Sequence, residues 1–409
     1  MGKLLTPGLT EILKPIVASF FRLVGGSKSP TLWKVSSNQS IDPYEKPDPR
    51  VLNCRVQLTE QEDAFTVEIC GSIHATSDMH YTIVQISITD ITDGTHQAQP
   101  IHSRVEQWQM QDSPVFIYNA DLGKLPSHVT TLSDWLSVGR LNIDWMIFPR
   151  KGKRKLRFST LILSRWNGQE LASATSTFTY ENPAFGYIDL QANSRRTKTL
   201  TVALAFAVGA ADSKLFNCEV EIIRNWARKN IGLSGNSPGK RHPAESLKLA
   251  QPSNETKHEL DRALEEAVSF FREGKKLDTS NLCKEIVEIA PLADRYDTLD
   301  LCLRVAQADG VAAVEELTLL KNLADWLEVD PDRFREMMEK ILPAGMHEVK
   351  DVEVILGVTS DMSKDKTRKR LNKEYSKWNA RVTNTDSEIQ AQADDMLKFI
   401  AETRSEYVE

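Results

Sequence analysis

Closely spaced cysteine pairs are missing from this chain. It has five cysteines, an odd number, and no two of them form a CxxC motif. Structural zinc sites and redox motifs use such pairs, and secreted disulfide frameworks use even numbers of cysteines. The cysteine pattern therefore predicts reduced thiols, a cytoplasmic location and no structural zinc site.

Catalytic motifs and membrane-spanning runs are missing too. The sequence contains no GxSxG, no HExxH and no dinucleotide-binding fingerprint, the patterns of several hydrolase, metalloprotease and nicotinamide-enzyme families. No apolar run reaches the roughly 18 residues that a membrane span needs. We therefore expect a protein that is not an enzyme and that does not cross a membrane.

Positive charge is in deficit. The chain has 51 Lys and Arg against 57 Asp and Glu, which gives a net charge of −6. A negative protein is repelled by nucleic acid and by anionic membranes. We therefore expect no general nucleic-acid binding, and any contact with an anion would need a local basic site.

The second half of the chain contains two stretches that echo each other, residues 204–233 and 301–329. Apolar positions recur at the same spacing in both stretches, around a short polar turn. The turn of the second stretch holds Gly310, where the first has Ser213. Each stretch also carries two acids seven positions apart: Asp212 with Glu219, and Asp309 with Glu316. We interpret the two stretches as a duplicated helix pair.

This alanine–aspartate–turn–glutamate pattern resembles the TerB family of tellurite-resistance and stress-response proteins. The resemblance covers about residues 197–343 and implies an all-α bundle of seven helices. TerB-like domains also occur in multi-gene systems that defend bacteria against phage, where they are commonly paired with separate ATPases. The resemblance therefore implies a sensor or scaffold whose protein partner is an ATPase subunit.

The four acids of the repeat are the one candidate constellation for chemistry. If the repeats pair about a pseudo-two-fold axis, Asp212, Glu219, Asp309 and Glu316 converge and offer oxygen ligands to calcium, magnesium or manganese. Alternatively, the aspartates close the turns between helices and the glutamates cap the helices that follow. The sequence leaves both interpretations open.

From residue 51 to about residue 190 the apolar period changes from helical to two. Aromatic and β-branched residues dominate the predicted strands, and the dipeptide Asn167-Gly168 favours a hairpin turn. Seven or eight short strands with such turns predict an antiparallel β-sandwich, immunoglobulin-like in outline.

A basic run lies between two predicted strands, 141–148 and 156–163. It comprises Arg150, Lys151, Lys153, Arg154 and Lys155. At a hairpin tip these cations would form a concentrated positive point, which predicts binding of phosphate or anionic lipid. The alternative is a solvated turn that protects edge strands from pairing with another chain.

The first 50 residues precede the predicted sandwich. Apolar residues at helical spacing predict an amphipathic helix over residues 1–27, and prolines predict a linker over residues 28–50. The helix could lie on a membrane surface. It could equally pack on another domain or on a partner.

The last segment, residues 346–409, resembles a J domain, the module that recruits heat-shock ATPase chaperones. The resemblance rests on the start Ile355-Leu356-Gly357-Val358 and on the basic helix 364–378. Asn379-Ala380-Arg381 stands where the family has His-Pro-Asp, so chaperone stimulation is not expected. The cationic helix still predicts docking of an acidic partner, through Lys366, Arg368, Lys369, Arg370 and Lys373.

Together these patterns predict a multidomain α+β protein. We expect a β-sandwich over residues 51–190, a TerB-like helical domain over residues 191–345 with an insert loop at 232–254, and a degenerate J-like module over residues 346–409. The predicted function is that of a non-enzymatic adaptor or sensor in bacterial stress response or antiphage defence. The alternative is a peripheral membrane protein that binds anionic lipid through the first helix and the basic run.

Overall fold

The computed structural model describes residues 48–407, apart from 60, 62, 75–79, 126–128, 232–253 and 350. The predicted first helix, almost all of the linker and almost all of the insert loop therefore lie outside the described residues. The described chain divides into two compact units, one ending at Ala192 and one beginning at Asn193. The first unit is built from antiparallel strands and the second is helical.

The described residues of the β unit form ten strands. They are β1 Leu52–Leu58, β2 Ala64–His74, β3 His80–Asp90, β4 Gln99–Pro100, β5 His102–Ser103, β6 Ile117–Leu125, β7 Val129–Asn142, β8 Met146–Ile147, β9 Gly152–Ser164 and β10 Glu170–Asn182. One sheet has the order β1-β2-β7, and a larger one has the order β10-β9-β3-β4 with β6 also paired to β3. All these pairings are antiparallel.

Aromatic packing joins the two sheets. Phe65 of β2 is fully buried, and its ring lies 5.2 Å from that of Phe158 on β9 and 5.6 Å from that of Phe178 on β10, both edge to face. This geometry is the favourable one for aromatic pairs, because the positive edge of one ring meets the negative face of the other. The buried residues of both sheets form one hydrophobic core.

One strand prediction was wrong. The structure places β7 at Val129–Asn142, whereas the sequence predicted a strand over residues 141–148, where the chain instead turns at Ile143–Trp145 and forms only the short β8. The register between β2 and β7 shifts twice, between Val67 and Glu68 and between Ile69 and Gly71. Such irregularities interrupt the alternation of inward and outward residues from which strands are predicted.

The sequence predicted that the basic run forms a hairpin tip, and this prediction was wrong. It leads into β9, and the preceding short strand β8 pairs with β5 instead of β9. Arg154 faces the core, is only 7% exposed, and donates a hydrogen bond of 2.6 Å to the buried Asp90. Strand alternation turns every second side chain inward, so the five cations cannot project together.

The helical unit begins within a helix that starts in the β unit. Its helices are α1 Tyr187–Gly209, α2 Asn217–Asn230, α3 Asn254–Arg272, α4 Thr279–Ile289, α5 Leu292–Ala306, α6 Val314–Trp326, α7 Pro331–Ile341, α8 Val352–Leu356, α9 Lys364–Asn379 and α10 Ser387–Tyr407. Helices α1 to α7 enclose one core of buried apolar side chains.

The duplicated helix pair is present in the structure. The end of α1 with α2, and α5 with α6, are equivalent with an offset of 97 residues, since α2 begins at Asn217 and α6 at Val314. Thr201 and Thr298 are equivalent under the same offset, and their hydroxyl groups form a buried hydrogen bond of 2.7 Å. Two equivalent residues that contact each other lie at the pseudo-two-fold axis of the repeat.

The last three helices have a small core of their own, formed around Leu371, Trp378 and Phe399. Ion pairs attach them to the preceding helices. Arg370 of α9 pairs with Asp332 of α7 at 3.2 Å, and Glu339 of α7 pairs with both Lys377 and Arg381.

Arg370 therefore does not fit its predicted role in partner binding. Its side chain is 18% exposed and donates a hydrogen bond of 3.0 Å to the carbonyl oxygen of Leu356, in addition to its ion pair with Asp332. Helical periodicity explains the difference, because residue 370 lies on the side of α9 that contains the buried Leu371 and Glu374.

None of the helices in the described parts of the chain combines the length and the apolar character needed to cross a membrane.

Candidate functional site: the paired acids of the repeat

The two glutamates occupy the third position of α2 and of α6, and both are almost completely buried. Glu219 is 2% exposed and Glu316 is 4% exposed. Glu219 accepts a hydrogen bond of 2.6 Å from the backbone N–H of Phe216, and Glu316 accepts one of 2.9 Å from that of Ala313. Each glutamate therefore caps the first turn of its own helix, where backbone N–H groups lack a partner within the helix.

The two aspartates hold the turns that precede these helices. Asp212 accepts a hydrogen bond of 2.8 Å from the backbone N–H of Lys214, and Asp309 accepts one of 3.1 Å from that of Val311. Both are side-chain turns of the Asx type, two residues long. The structure therefore contains the capping geometry that the sequence left open, twice and in equivalent positions.

The structure also brings the two halves of the repeat together. The carboxyl groups of Glu219 and Glu316 lie within interaction distance of each other, so the protonation of one affects the other. Gly209 at the end of α1 makes room for them, because a Cβ atom there would lie 3.3 Å from Oε2 of Glu219 and 3.1 Å from Cγ1 of Val305.

Burial changes the protonation of both glutamates. Desolvation, with smaller contributions from the nearby charges of Glu316, Asp309 and Asp212, raises the pKa of Glu219 to about 8. Desolvation, together with the charges of Asp309 and Asp212, raises the pKa of Glu316 to about 7. Two acids that interact in a poorly solvated site cannot both ionise cheaply, so near neutral pH the pair retains a proton.

The arrangement can bind a cation only by displacing that proton. In the described parts of the chain, no group of three or more His, Cys, Asp or Glu side chains has the geometry of a metal site. One oxygen of each glutamate accepts a backbone hydrogen bond. A divalent ion would therefore have to reorganise the acids, and metal binding at Asp212, Glu219, Asp309 and Glu316 stays a prediction.

The structure separates the five cations of the basic run. Arg150 pairs with Asp189 at 3.4 Å, and Arg154 pairs with Asp90 in the core. Lys151, Lys153 and Lys155 are exposed. Only these three remain available to an anion, on the outward side of the chain as it enters β9.

The cations of α9 are divided in a similar way. Lys366, Lys369 and Lys373 are exposed and recur at intervals of three and four residues, so they share one face of the helix. Arg368 is also exposed and lies 3.9 Å from Asp365, in the weak geometry of a surface pair. Arg370 lies next to Lys366 and Lys373 on the helix surface, but its side chain pairs with Asp332 of α7.

A small cavity lies between α7, α9 and α10. Its volume is about 50 Å³, and Arg335, Glu339, His347, Trp378 and Met396 are among the residues that line it. That space suffices for a few water molecules and not for an organic cofactor.

Sequence reasoning missed three residues that shape these surfaces. They are Gly209 beside the acid pair, Thr298 at the pseudo-two-fold axis, and Arg157, which follows the basic run on β9. The 97-residue offset could have pointed to Thr298, because Thr201 stands at the equivalent position of the first repeat. Period-two alternation could have pointed to Arg157 as a neighbour of Lys155.

Comparisons with known proteins support the helical part. Residues 242–339 match the family described as "Tellurite resistance protein TerB". This segment contains the second repeat, whereas the first repeat, residues 204–233, precedes it. The chain is therefore similar to TerB within its helical part, over less than half of its length. No curated protein matches the chain.

Two solved structures of Bacteroides uniformis β-glucuronidase also match, one of them bound covalently to a cyclophellitol-6-carboxylate aziridine. Their sequence identities are 9% and 11%, and each match covers 73% of this chain. The chain spans only 32% and 39% of those proteins, with TM-scores of 0.19. Scores this low carry no argument about fold or function.

Proposed function

We propose that this chain is a non-enzymatic adaptor or sensor of a bacterial stress-response or antiphage defence system, and that it acts with a partner ATPase. In this proposal the β unit is an immunoglobulin-like sandwich, the central helices are a TerB-like bundle, and the last helices are a degenerate J-like module. The TerB similarity of residues 242–339 supports the helical assignment and the link to tellurite resistance.

The observation that carries the adaptor proposal is the difference between paired and unpaired cations on α9. Arg370 pairs with Asp332 and Lys377 pairs with Glu339, and these ion pairs fix the helix against α7. Lys366, Lys369 and Lys373, which lie beside them on the helix surface, are exposed to solvent. A fixed helix with exposed cations offers a rigid surface to an acidic partner, and such charge complementarity favours fast and specific association.

The acid pair supplies the sensing part of the proposal. Glu219 and Glu316 retain a proton near neutral pH. In this proposal a divalent cation, namely calcium, magnesium or manganese, binds in place of that proton. Because α2 and α6 both begin at this pair, a change of its charge acts on both halves of the repeat together.

The membrane-surface alternative has less support. It depends on residues 1–27, which lie outside the described residues, and on a basic run in which Arg150 and Arg154 already pair with carboxylates. Single surface cations attract anionic lipid only weakly. We therefore favour the adaptor.

The test first asks which products of the neighbouring genes co-purify with the full chain and hydrolyse ATP, and then uses such an ATPase and the full chain, both purified. We expect direct binding in a titration, and we expect Lys366→Ser, Lys369→Ser and Lys373→Ser together to weaken it at least about tenfold, mainly through the association rate. The matched control changes three other exposed lysines by the same charge, Lys229→Ser, Lys284→Ser and Lys340→Ser. Equal loss in both variants, or no binding by the unchanged chain, contradicts the proposal.

The J-like segment gives a second, negative expectation. Arg381, at the position of the family's aspartate, pairs with Glu339 and stacks over the ring of Trp378 at 4.6 Å. This residue has the opposite charge and is engaged within the chain. We expect the full chain not to stimulate ATP turnover by a heat-shock chaperone, and a several-fold stimulation in a steady-state assay would show this expectation to be wrong.

A further inference from the structure

A column of three cations runs along the outward face of β9. Along this strand, residues 154, 156 and 158 are buried, whereas Lys153 and Lys155 are exposed and Arg157 is half-buried. Alternate residues of a strand share one face and lie about 7 Å apart. The cation column, defined as Lys153, Lys155 and Arg157, is therefore straight and evenly spaced.

The strand that carries the column is an inner strand of its sheet. It pairs with β10 on one side and with β3 on the other, along most of its length. On its inward face, Arg154 is held by Asp90 at 2.6 Å. The backbone of the cation column is thus paired with β10 along its whole length, and with β3 only at Arg157. On the β3 side, the backbone of Lys155 hydrogen-bonds with Ile91 and Thr92 just beyond the end of β3.

Hydroxyl groups flank the column on the neighbouring strands. Thr179 of β10 lies directly opposite Lys155, and Arg157 lies between Thr177 of β10 and Thr89 of β3. These threonines are at outward positions of their strands. The surface therefore offers two kinds of hydrogen-bond donor side by side, a cation and a hydroxyl.

The column also has no carboxylate bound to it. Glu181 lies across from Lys153 in the register, yet none of the ion pairs among the described residues involves Lys153, Lys155 or Arg157. By contrast, Arg150 and Arg154 of the same segment are paired. Unpaired cations in a row on a fixed strand form a positive strip that an extended polyanion can follow.

We propose that the cation column binds the phosphate backbone of single-stranded nucleic acid. Six covalent bonds separate successive phosphates of such a strand, so an extended strand repeats its charge at a distance comparable to the spacing of the column. Each phosphate has two free oxygens, and a cation with an adjacent threonine supplies a donor for each. An acidic peptide matches the spacing of the column only where its sequence places acids at alternate positions, whereas every nucleic-acid strand carries a charge at each repeat, which favours phosphate.

The proposed contact is short and weak because the whole chain has a net charge of −6. Three cations neutralise about three phosphates, so the logarithm of the binding constant should fall with the logarithm of salt with a slope of about −2. No aromatic side chain is interleaved within 150–157. We therefore expect binding without base specificity.

The experiment is a titration of a fluorescein-labelled oligothymidylate with the full chain, followed by anisotropy at low salt. We expect saturable binding, and we expect Lys153→Ser, Lys155→Ser and Arg157→Ser together to weaken it at least about tenfold and to remove most of the salt slope. The control, Lys229→Ser with Lys284→Ser and Lys340→Ser, carries the same charge change in the helical unit and should bind like the unchanged chain.

A second variant keeps the proposal testable if the triple variant is poorly folded. Glu181→Gln removes the carboxylate across from Lys153 and should tighten binding. The proposal is overturned by no binding of the unchanged chain, by equal weakening in the control variant, or by no tightening in Glu181→Gln. Displacement of the oligonucleotide by oligoglutamate at equal charge would point to an acidic peptide, and displacement by phosphatidylserine vesicles to a membrane. Either result also overturns the proposal.

Discussion

At the scale of single residues, the acid pair couples protonation to folding. Burial raises the pKa of Glu219 to about 8 and that of Glu316 to about 7, from an ordinary value of 4.5. Between the unfolded and folded pKa values the folded state binds more protons than the unfolded state. The free energy of unfolding therefore falls as the pH rises through this window, by about 1.4 kcal/mol per pH unit for each proton.

We expect Glu219→Gln to flatten this pH dependence. Glutamine keeps an oxygen for the N–H of Phe216, and it cannot ionise. Denaturant unfolding of the full chain should show stability falling from about pH 5 to about pH 8 in the unchanged chain and falling less in the variant. Glu315→Gln, an exposed neighbour in the first turn of α6, is the control. Parallel curves for all three proteins would contradict the expectation.

Arg154 illustrates how differently two neighbouring cations can behave. We expect Arg154→Met to destabilise the β unit by about 3–5 kcal/mol, because it leaves the carboxylate of Asp90 buried without its partner. Lys153→Met, one position away and exposed, should change the stability by less than about 0.5 kcal/mol. Denaturant midpoints of both variants measure the difference. A similar effect for the two substitutions would mean that Arg154 is not essential to the core.

At the scale of elements, the helices were well predicted and one strand was not. The duplicated helix pair predicted over residues 204–233 and 301–329 corresponds to the end of α1 with α2 and to α5 with α6. These helices carry a strong local signal, a regular apolar spacing that occurs twice in the chain. Strand β7 was missed because its pairing with β2 contains two register shifts, which only the partner strand reveals.

The same distinction between local and long-range signals applies to the candidate sites. Equal spacing of Asp212–Glu219 and Asp309–Glu316 pointed to the four acids as one candidate site, but the sequence left open whether they converge or act as separate caps. Which cations of the basic run face outward could not be predicted, because the run was assigned to a turn and not to the start of β9. The direction of a side chain depends on whether its residue lies in a strand or in a turn. A wrong prediction of secondary structure therefore gives a wrong prediction of which side chains form the site.

The turns of the two repeats give a prediction at this scale. Ser213 and Gly310 are equivalent, and both adopt a positive φ, 69° and 90°. Glycine enters this left-handed region without strain, whereas other residues lose about 1–2 kcal/mol there. We expect Ser213→Gly to raise the free energy of unfolding by up to about 1 kcal/mol and Gly310→Ser to lower it by about the same amount.

Thermal melting of the full chain measures both changes. A Cβ at Gly310 would meet no neighbouring atom, so steric overlap would not contribute and the backbone effect would be isolated. Shifts of the same sign in the two variants would show that the repeats are not equivalent at this turn.

At the scale of the whole molecule, the repeat connects helices that match the TerB family with helices that precede the match. The match covers residues 242–339, and the first repeat precedes it. The buried contact of Thr201 with Thr298 and the interaction of Glu219 with Glu316 join equivalent residues of the two repeats. The two halves consequently depend on each other, and a ligand that binds at the acid pair should stabilise both.

This argument leads to the metal prediction. A ligand that binds only the folded state raises its stability by about 2.7 kcal/mol at a hundredfold excess over its dissociation constant. We expect the melting temperature of the full chain to rise with calcium or manganese. The rise should be larger at about pH 8 than at about pH 6, because the metal must displace the proton shared by Glu219 and Glu316.

Asp309→Asn should abolish the metal-dependent rise, whereas Asp300→Asn should leave it intact, because Asp300 pairs with Arg304 on the surface of α5. Asp309 also accepts the backbone hydrogen bond of Val311, so its substitution lowers the melting temperature in any case. The decisive quantity is thus the increment that metal adds, compared within each variant. If the unchanged chain shows no increment at millimolar metal at either pH, the four acids act only as caps and turns, and the capping geometry accounts for all of them.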